Sequence, residues 1–330
     1  MVYVWVRQGV LRDRVAAVSE RVAEVANGEP LEVLEHGRRF LKVKTARDQI
    51  GWIQDRAVID AKTYDSFLQL ASQHRGDPVV ATASLNNDLY MHLLPGRKTD
   101  RFYLLAGDSK VQLLARASIP EETRFSAPAP ARSATQTPRM EDWWLARDGH
   151  GHTGWLLARD LYVDVPDAIG IYSEGQQFVG AYLLDSVFDP QATTPNHEVP
   201  QYVALLAPPS SGLPFDFDQV RVFTWSLNHH RYETAFRLRP IEGYLPVRIS
   251  SQPEAGGNAP VFSFQIAGSS NLITDPATGV TRPAVPRTIS YVLIGNRVER
   301  TGSDLRPIST DGQEGSGSKS ARKAPRHRRR

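Results

Sequence analysis

Apolar and polar residues alternate in short runs along most of this chain, and the runs are broken by Gly, Asn, Asp and Pro. That is the pattern of β-strands joined by turns. Leu31-Glu32-Val33-Leu34 and Phe40-Leu41-Lys42-Val43-Lys44 flank His36-Gly37-Arg38 and predict a hairpin, and Gly51-Trp52-Ile53 opens a further strand. Over 61–74 the period changes. Tyr64, Phe67, Leu68 and Ala71 fall at helical spacing with Asp60 or Thr63 as cap, so an amphipathic helix is expected within a linker at 61–78.

A second β unit starts at Val79, with its strand pattern running to about Val165 and its outer limit at 188. Its central strands are Val111-Gln112-Leu113-Leu114 and Trp143-Trp144-Leu145-Ala146-Arg147; Asp148-Gly149-His150-Gly151 supplies a turn before Gly154-Trp155-Leu156-Leu157. Between them, 118–140 holds four prolines among Ala, Ser and Thr, and is expected to be a mobile insertion in one hairpin loop. From 196 to 300 strands recur, as at Val220–Trp225, Tyr232–Arg237 and Val261–Ile266, and predict a third β domain, a barrel or a sandwich. Residues 301–330, rich in Ser, Gly and basic side chains, are expected to be a disordered tail. The fold class expected is therefore all-β: two small barrels in tandem, a linker helix and a third β domain.

Composition narrows the chemistry. Seven of the 39 basic residues lie between Lys319 and Arg330, so the remainder carries fewer basic residues than its 36 acidic ones and offers no charge argument for specific nucleic-acid binding. The basic tail itself would suit an anionic surface, each residue adding about 1 kcal/mol there. Cysteine is absent, which excludes disulfides, thiolate metal sites and thiol nucleophiles. No apolar run is long enough to be a transmembrane segment. The strand-like run Val2–Val6 directly after Met1, with no n-region or cleavage site before it, leads us to expect an export or lipoprotein signal upstream of this start, and with it a cell-envelope or periplasmic location. Otherwise the location would be cytoplasmic.

Two stretches follow one plan. In the first it reads Leu11-Arg12-Asp13, Asn27-Gly28-Glu29, Phe40-Leu41-Lys42-Val43, Gly51-Trp52-Ile53; in the second, Asp88-Leu89-Tyr90, Ala106-Gly107-Asp108, Trp143-Trp144-Leu145, Gly154-Trp155-Leu156. This ordered series resembles the bacterial SH3 (SH3b) domain and covers about half of the chain. The resemblance implies small barrels, an envelope location, binding rather than catalysis, and peptidoglycan or an envelope protein as partner. Two departures are expected: a long segment between Asp13 and Gly28, and the Pro-rich insertion. A barrel of that size has little core, so Trp52 and Trp155 are read as its fillers, with the preceding glycine allowing a sharp turn.

The candidate binding residues are Trp143, Trp144 and Tyr90. Adjacent strand residues face opposite sides, so one indole of the Trp143-Trp144 pair is expected to emerge as a platform for a peptide or glycan. No catalytic residue, metal ligand or cofactor is assigned. His150-Gly151-His152 and Asn228-His229-His230 are read as polar turns, and Asp216 and Asp218 as surface carboxylates. Gly312 to Ser320 is tail rather than a phosphate loop. The alternatives are a cryptic hydrolase in the 196–300 domain or a purely structural spacer.

Overall fold

A computed structural model describes residues 1–121, 138–254 and 257–308. The chain is all-β apart from short helices. The first unit contains β1 (Val2–Val4), β2 (Gln8–Arg12), β3 (Arg21–Ala26), β4 (Pro30–His36), β5 (Phe40–Lys44), β6 (Ile50–Gln54) and β7 (Val58–Asp60). Helix α1 (Ala61–Gln73) follows, and the Asp60 carboxylate accepts from the Thr63 amide at 2.7 Å as its N-cap. The second unit contains β8 (Ala81–Leu85), β9 (Leu89–His92), β10 (Arg101–Leu105), β11 (Lys110–Pro120), β12 (Met140–Arg147), β13 (Thr153–Leu157) and β14 (Leu161–Val163).

The two units have one topology. Strand order is β3-β2-β6-β5-β4-β1-β7 in the first and β10-β9-β13-β12-β11-β8-β14 in the second, the same order strand for strand. Registers coincide as well: Arg12 pairs with Trp52 and Lys42 with Trp52, as His92 pairs with Trp155 and Leu145 with Trp155. Both carry a bulge at the same place, Leu34 in β4 and Leu114 in β11. The loop between the strands that follow Arg12 and His92 has one length, since Arg12 pairs with Arg21 and His92 with Arg101. The segment after Asp13 is therefore no departure from the shared plan. Hydrogen bonding leaves each sheet open, so neither unit is a closed barrel.

The inner face of the first unit is made by Val4, Leu11, Leu31, Val43 and Ile53, and the second places Leu85, Met91, Val111, Ala146 and Leu156 at those positions. Trp52 and Trp155 are not among the inner residues. In a strand the residue after an inward one faces outward, and here the inward residue is the glycine. A Cβ at Gly51 would stand 2.9 Å from the Leu11 Cβ, and one at Gly154 2.6 Å from the Met91 Cβ. Glycine is required because β2 and β9 cross there, not for a turn. The following Trp52 and Trp155 are thereby sent to the outer face, and the aliphatic residue after each fills the core.

The C-terminal unit has two four-stranded antiparallel sheets. The first contains β15 (Gln177–Phe188), β16 (Glu198–Ala207), β17 (Gln219–Ser226) and β18 (Arg231–Leu238) in that order. After β19 (Gly243–Glu254) and β20 (Gly257–Ala267) comes the small hairpin β21 (Leu272–Thr274) and β22 (Thr281–Pro283), then β23 (Pro286–Ile294) and β24 (Arg297–Thr301); the second sheet has the order β19-β20-β23-β24. The sheets face each other: Phe217 lies against Phe264 and Phe236 against Tyr291, with ring centroids 5.7 and 4.8 Å apart. It is a sandwich. β15 pairs along β16 through Phe188, so 177–188 belongs to this sandwich and not to the second unit.

Two boundaries move. The β11–β12 ladder extends to Pro120 opposite Met140, so the ends of the Pro-rich stretch are strand, and 122–137 lies outside the described residues. Residues 301–308 are held in place: Arg287 and Arg306 both donate to Asp304 at 2.8 Å, and Arg287 reaches the Pro307 carbonyl. The rest of the basic tail, 309–330, lies outside the described residues.

Candidate functional site

The outer face of β2, β6 and β5 in the first unit carries Arg12, Trp52, Gln54 and Phe40. Trp52 and Phe40 are half-buried, whereas Arg12 and Gln54 are exposed. With Trp5 and Arg56 they line a groove of about 410 Å³. Trp5 is fixed by its Nε1, which donates to the Arg56 carbonyl at 2.8 Å. Arg12 donates to the Ser19 carbonyl and hydroxyl, and Arg56 to the Gln54 side chain; neither has a carboxylate partner among the described residues. The groove thus offers aromatic faces between two guanidiniums, a surface for a ligand that is flat or aliphatic and negatively charged.

The equivalent face of the second unit is covered. Trp143 stands where Phe40 does, Leu145 for Lys42, Trp155 for Trp52, Leu157 for Gln54 and His92 for Arg12. Trp143, Leu145 and Trp155 are buried with Leu114 and Ala117, and Leu70 of α1 and Val280 of the β21–β22 hairpin pack over them. The hairpin is tied down where the Ser118 amide donates to the Gly279 carbonyl at 3.3 Å. Burial lowers the His92 pKa to about 4, with the Arg101 charge a lesser cause, and its Nδ1 lies 2.9 Å from the Thr99 hydroxyl. What remains open is a smaller cavity of about 250 Å³, lined among others by Tyr90, Trp143, Arg97, Arg101 and Arg159.

The three sequence-derived binding residues divide between two places. Tyr90 and Trp143 line the 250 Å³ cavity; Trp144 points inward and borders a cleft of about 830 Å³ between the second unit and the sandwich. The expected exposed indole does not exist, because β12 is covered on both faces: Trp143 is 2% and Trp144 6% exposed. Alternation holds, but the hairpin and α1 occupy one side and the sandwich the other. Sequence reasoning misses Trp5, Phe40, Trp52, Arg12 and Arg56 as binding residues. Their signal is the replacement of outward polar residues, Lys42 and Gln54, by Leu145 and Leu157 in the second copy.

The other expectations change in detail. Asp216 is buried, not a surface group; its carboxylate accepts from the Leu245 amide at 2.9 Å and from Arg282 at 3.4 Å, and burial raises its pKa. It faces Arg116, which donates to Asp142 at 2.7 Å, so these groups form an ion network at the junction of second unit and sandwich. Asp218 is half-buried and accepts from Gln176. In the C-terminal unit Ser226 and Glu233 both approach His229, but both reach Nδ1. A nucleophile–base relay requires acid and hydroxyl on opposite ring nitrogens. His230 Nδ1 and Trp225 Nε1 each lie 2.7 Å from the buried Asp189, holding its pKa down at about 2. His152 is bound to Asp148 in its turn and stacks on Tyr103. Among the described residues no group of three His, Cys, Asp or Glu is placed to hold a metal ion, and no helix is long and apolar enough to cross a membrane.

No protein-family model and no curated protein matches the chain. Among solved structures, an NlpC/P60 family protein from Bacillus cereus aligns over 53% of this chain and 62% of its own length, at 10% identity and a TM-score of 0.24. NlpC2 from Trichomonas vaginalis aligns over 94% and 95%, at 9% identity and a TM-score of 0.17. At these scores neither likeness informs the fold or the activity of this chain.

Proposed function

We propose that the chain is a non-catalytic binding protein with two SH3b-like modules, in which the first module takes the ligand and the second serves as scaffold. The observation that carries this is the difference between two equivalent faces: the aromatic face around Trp52 is open, and the one around Trp155 is closed by other parts of the same chain. Further support for a scaffold role comes from one continuous apolar core that joins Leu85, Leu113 and Trp144 of the second module to Leu205, Val222 and Phe264 of the sandwich. A cell-wall polymer or an envelope protein is the proposed ligand, and the cell envelope the proposed location.

The test is retention of the full chain on purified peptidoglycan and on envelope protein fractions, with Trp52→Ala and Trp144→Ala in parallel. Retention that is lost in Trp52→Ala and kept in a folded Trp144→Ala supports the reading. Retention indifferent to Trp52 sinks it.

A further inference from the structure

The groove of the first module and the cavity of the second are adjacent. Trp5 lines the former and Tyr90 the latter, and the two rings meet edge to face with centroids 5.5 Å apart. The Arg101 guanidinium lies over both, 4.8 Å from the Trp5 centroid and 5.2 Å from that of Tyr90. The junction beneath is held by Asn27, whose amide donates to the Phe102 carbonyl at 2.9 Å and whose oxygen accepts from the Leu104 amide at 3.1 Å. Two concavities that share a rim on a fixed junction form one trough.

Charge along this trough is predominantly positive. The repeat keeps an arginine at one position in both copies, Arg56 and Arg159, each exposed in the 3-10 turn that leaves the Gly-Trp strand and each lining its own cavity. Arg12, Arg56, Arg101 and Arg159 have no carboxylate partner among the described residues; of the two acids that line the second cavity, Asp88 is paired with Arg7, and Asp160 alone offsets the arginines. The Trp143 ring closes the floor of the second cavity, 2% exposed.

Resting on the binding role proposed above, we infer that the trough binds a single acidic peptide in extended form, running from Trp52 across Trp5 and Tyr90 to Trp143. Its apolar side chains lie on the rings, and its carboxylates face Arg56, Arg101 and Arg159. The chain's own C-terminal stretch is not the occupant, because 319–330 carries seven basic residues and no acidic one.

The probe is a labelled octapeptide alternating glutamate and valine, which spans up to about 28 Å when extended, with its four-residue half and its lysine counterpart as controls. Fluorescence anisotropy with the full chain should show binding of the octapeptide, much weaker binding of the tetrapeptide and none of the lysine peptide. Arg56→Glu and Arg159→Glu should each weaken the octapeptide at least about tenfold. Unchanged melting of both variants would show that the fold is intact. If Arg56→Glu abolishes binding and Arg159→Glu leaves it untouched, the trough is overturned and the first-module site stands. If no acidic peptide binds while peptidoglycan retention still depends on Trp52, the inference fails alone. Loss of both readouts removes the trough and the binding role together.

Discussion

The two repeated β units share strand order, register, bulge and glycine, yet they differ at almost every outward residue of the Gly-Trp strand and its neighbours. Lys42, Gln54 and Arg12 in the first become Leu145, Leu157 and His92 in the second, and Leu34, 45% exposed, becomes Leu114 at 4%. The lesson is that the inner face of a small curled sheet specifies the module, and the outer face specifies what the module does. Leu70 and Val280 turn one copy into a buried structural element, and their absence from the other leaves a surface.

The largest test of that contrast uses the paired indoles. Trp155→Ala should cost about 3–5 kcal/mol, as large-to-small changes in closed cores do. Trp52→Ala, on a half-open face, should cost about 1 kcal/mol. Guanidinium unfolding of each full-length variant measures both, and equal losses would mean that the first face is also covered.

Next in size is a pH effect confined to the second module. His92 has a folded pKa lowered to about 4 against 6.5 for the free side chain, so below pH 6.5 the unfolded chain takes a proton that the native site refuses. Stability is then full above pH 6.5 and declines down to about 4, by about 3 kcal/mol for the shift of the single group. His92→Asn should flatten that window. The carboxylates with lowered pKa act in a separate window, whereas Asp216 and Asp218, raised by burial, take their protons first in the native state and oppose the His92 trend. Asp189, held at about 2 by His230 and Trp225, and Asp304, held low by Arg306 and Arg287, favour the native state above the ordinary carboxylate pKa of 3.8, and that contribution fades as the pH falls below it. Melting series of the parent and His92→Asn with the same slope between pH 6.5 and 4.5 would contradict the buried, neutral imidazole.

The glycines test what the modules have in common. Gly154→Ala would bring a Cβ to 2.6 Å from the Met91 Cβ, and Gly51→Ala to 2.9 Å from the Leu11 Cβ. Both should destabilise, by about 1–3 kcal/mol as overpacking does. If only one does, the strand crossing is not a shared requirement.

Much of this architecture was legible. The second half of the repeated series, Phe40–Val43 with Trp143–Ala146 and Gly51–Ile53 with Gly154–Leu156, was legible from its aromatic and glycine anchors, but its start was out of register, since Leu11-Arg12 corresponds to Met91-His92 and not to Asp88-Leu89. Helix α1 was legible because Phe67 and Asp60 stand at positions that only a capped helix explains. Direction was the failure. Gly51-Trp52-Ile53 reads as an indole plugging a core, and only the close approach of Leu11 shows that the glycine owns the inward position and Ile53 the core. Trp143 and Trp144 failed for a different reason: strand alternation says which way each side chain points, but not that α1 and a hairpin far along the chain cover one side while the sandwich covers the other. Contacts of that separation have no local signature. The burial of Asp216 is illegible for the same cause, since its partners Arg116 and Arg282 come from two different domains.

The smallest expected effect bears most directly on the contrast. Lys42 is the outward residue whose counterpart, Leu145, is sealed. It stands opposite Glu35 across the ladder without a salt bridge between the two side chains, and opposite charges facing across strands contribute at most about 0.2–1 kcal/mol. Lys42→Leu removes that contribution but places an aliphatic chain beside Trp52, its strand neighbour, where it gains apolar contact. The two terms oppose each other, so stability should stay within about 0.5 kcal/mol of the parent, the range of surface substitutions. Octapeptide binding should persist, because Lys42 does not line the groove. Unfolding and anisotropy on the one variant report both. A change well outside that range would mean that the outer face of the first module is packed as tightly as that of the second, and the reason for treating one as a surface and the other as a core would be gone.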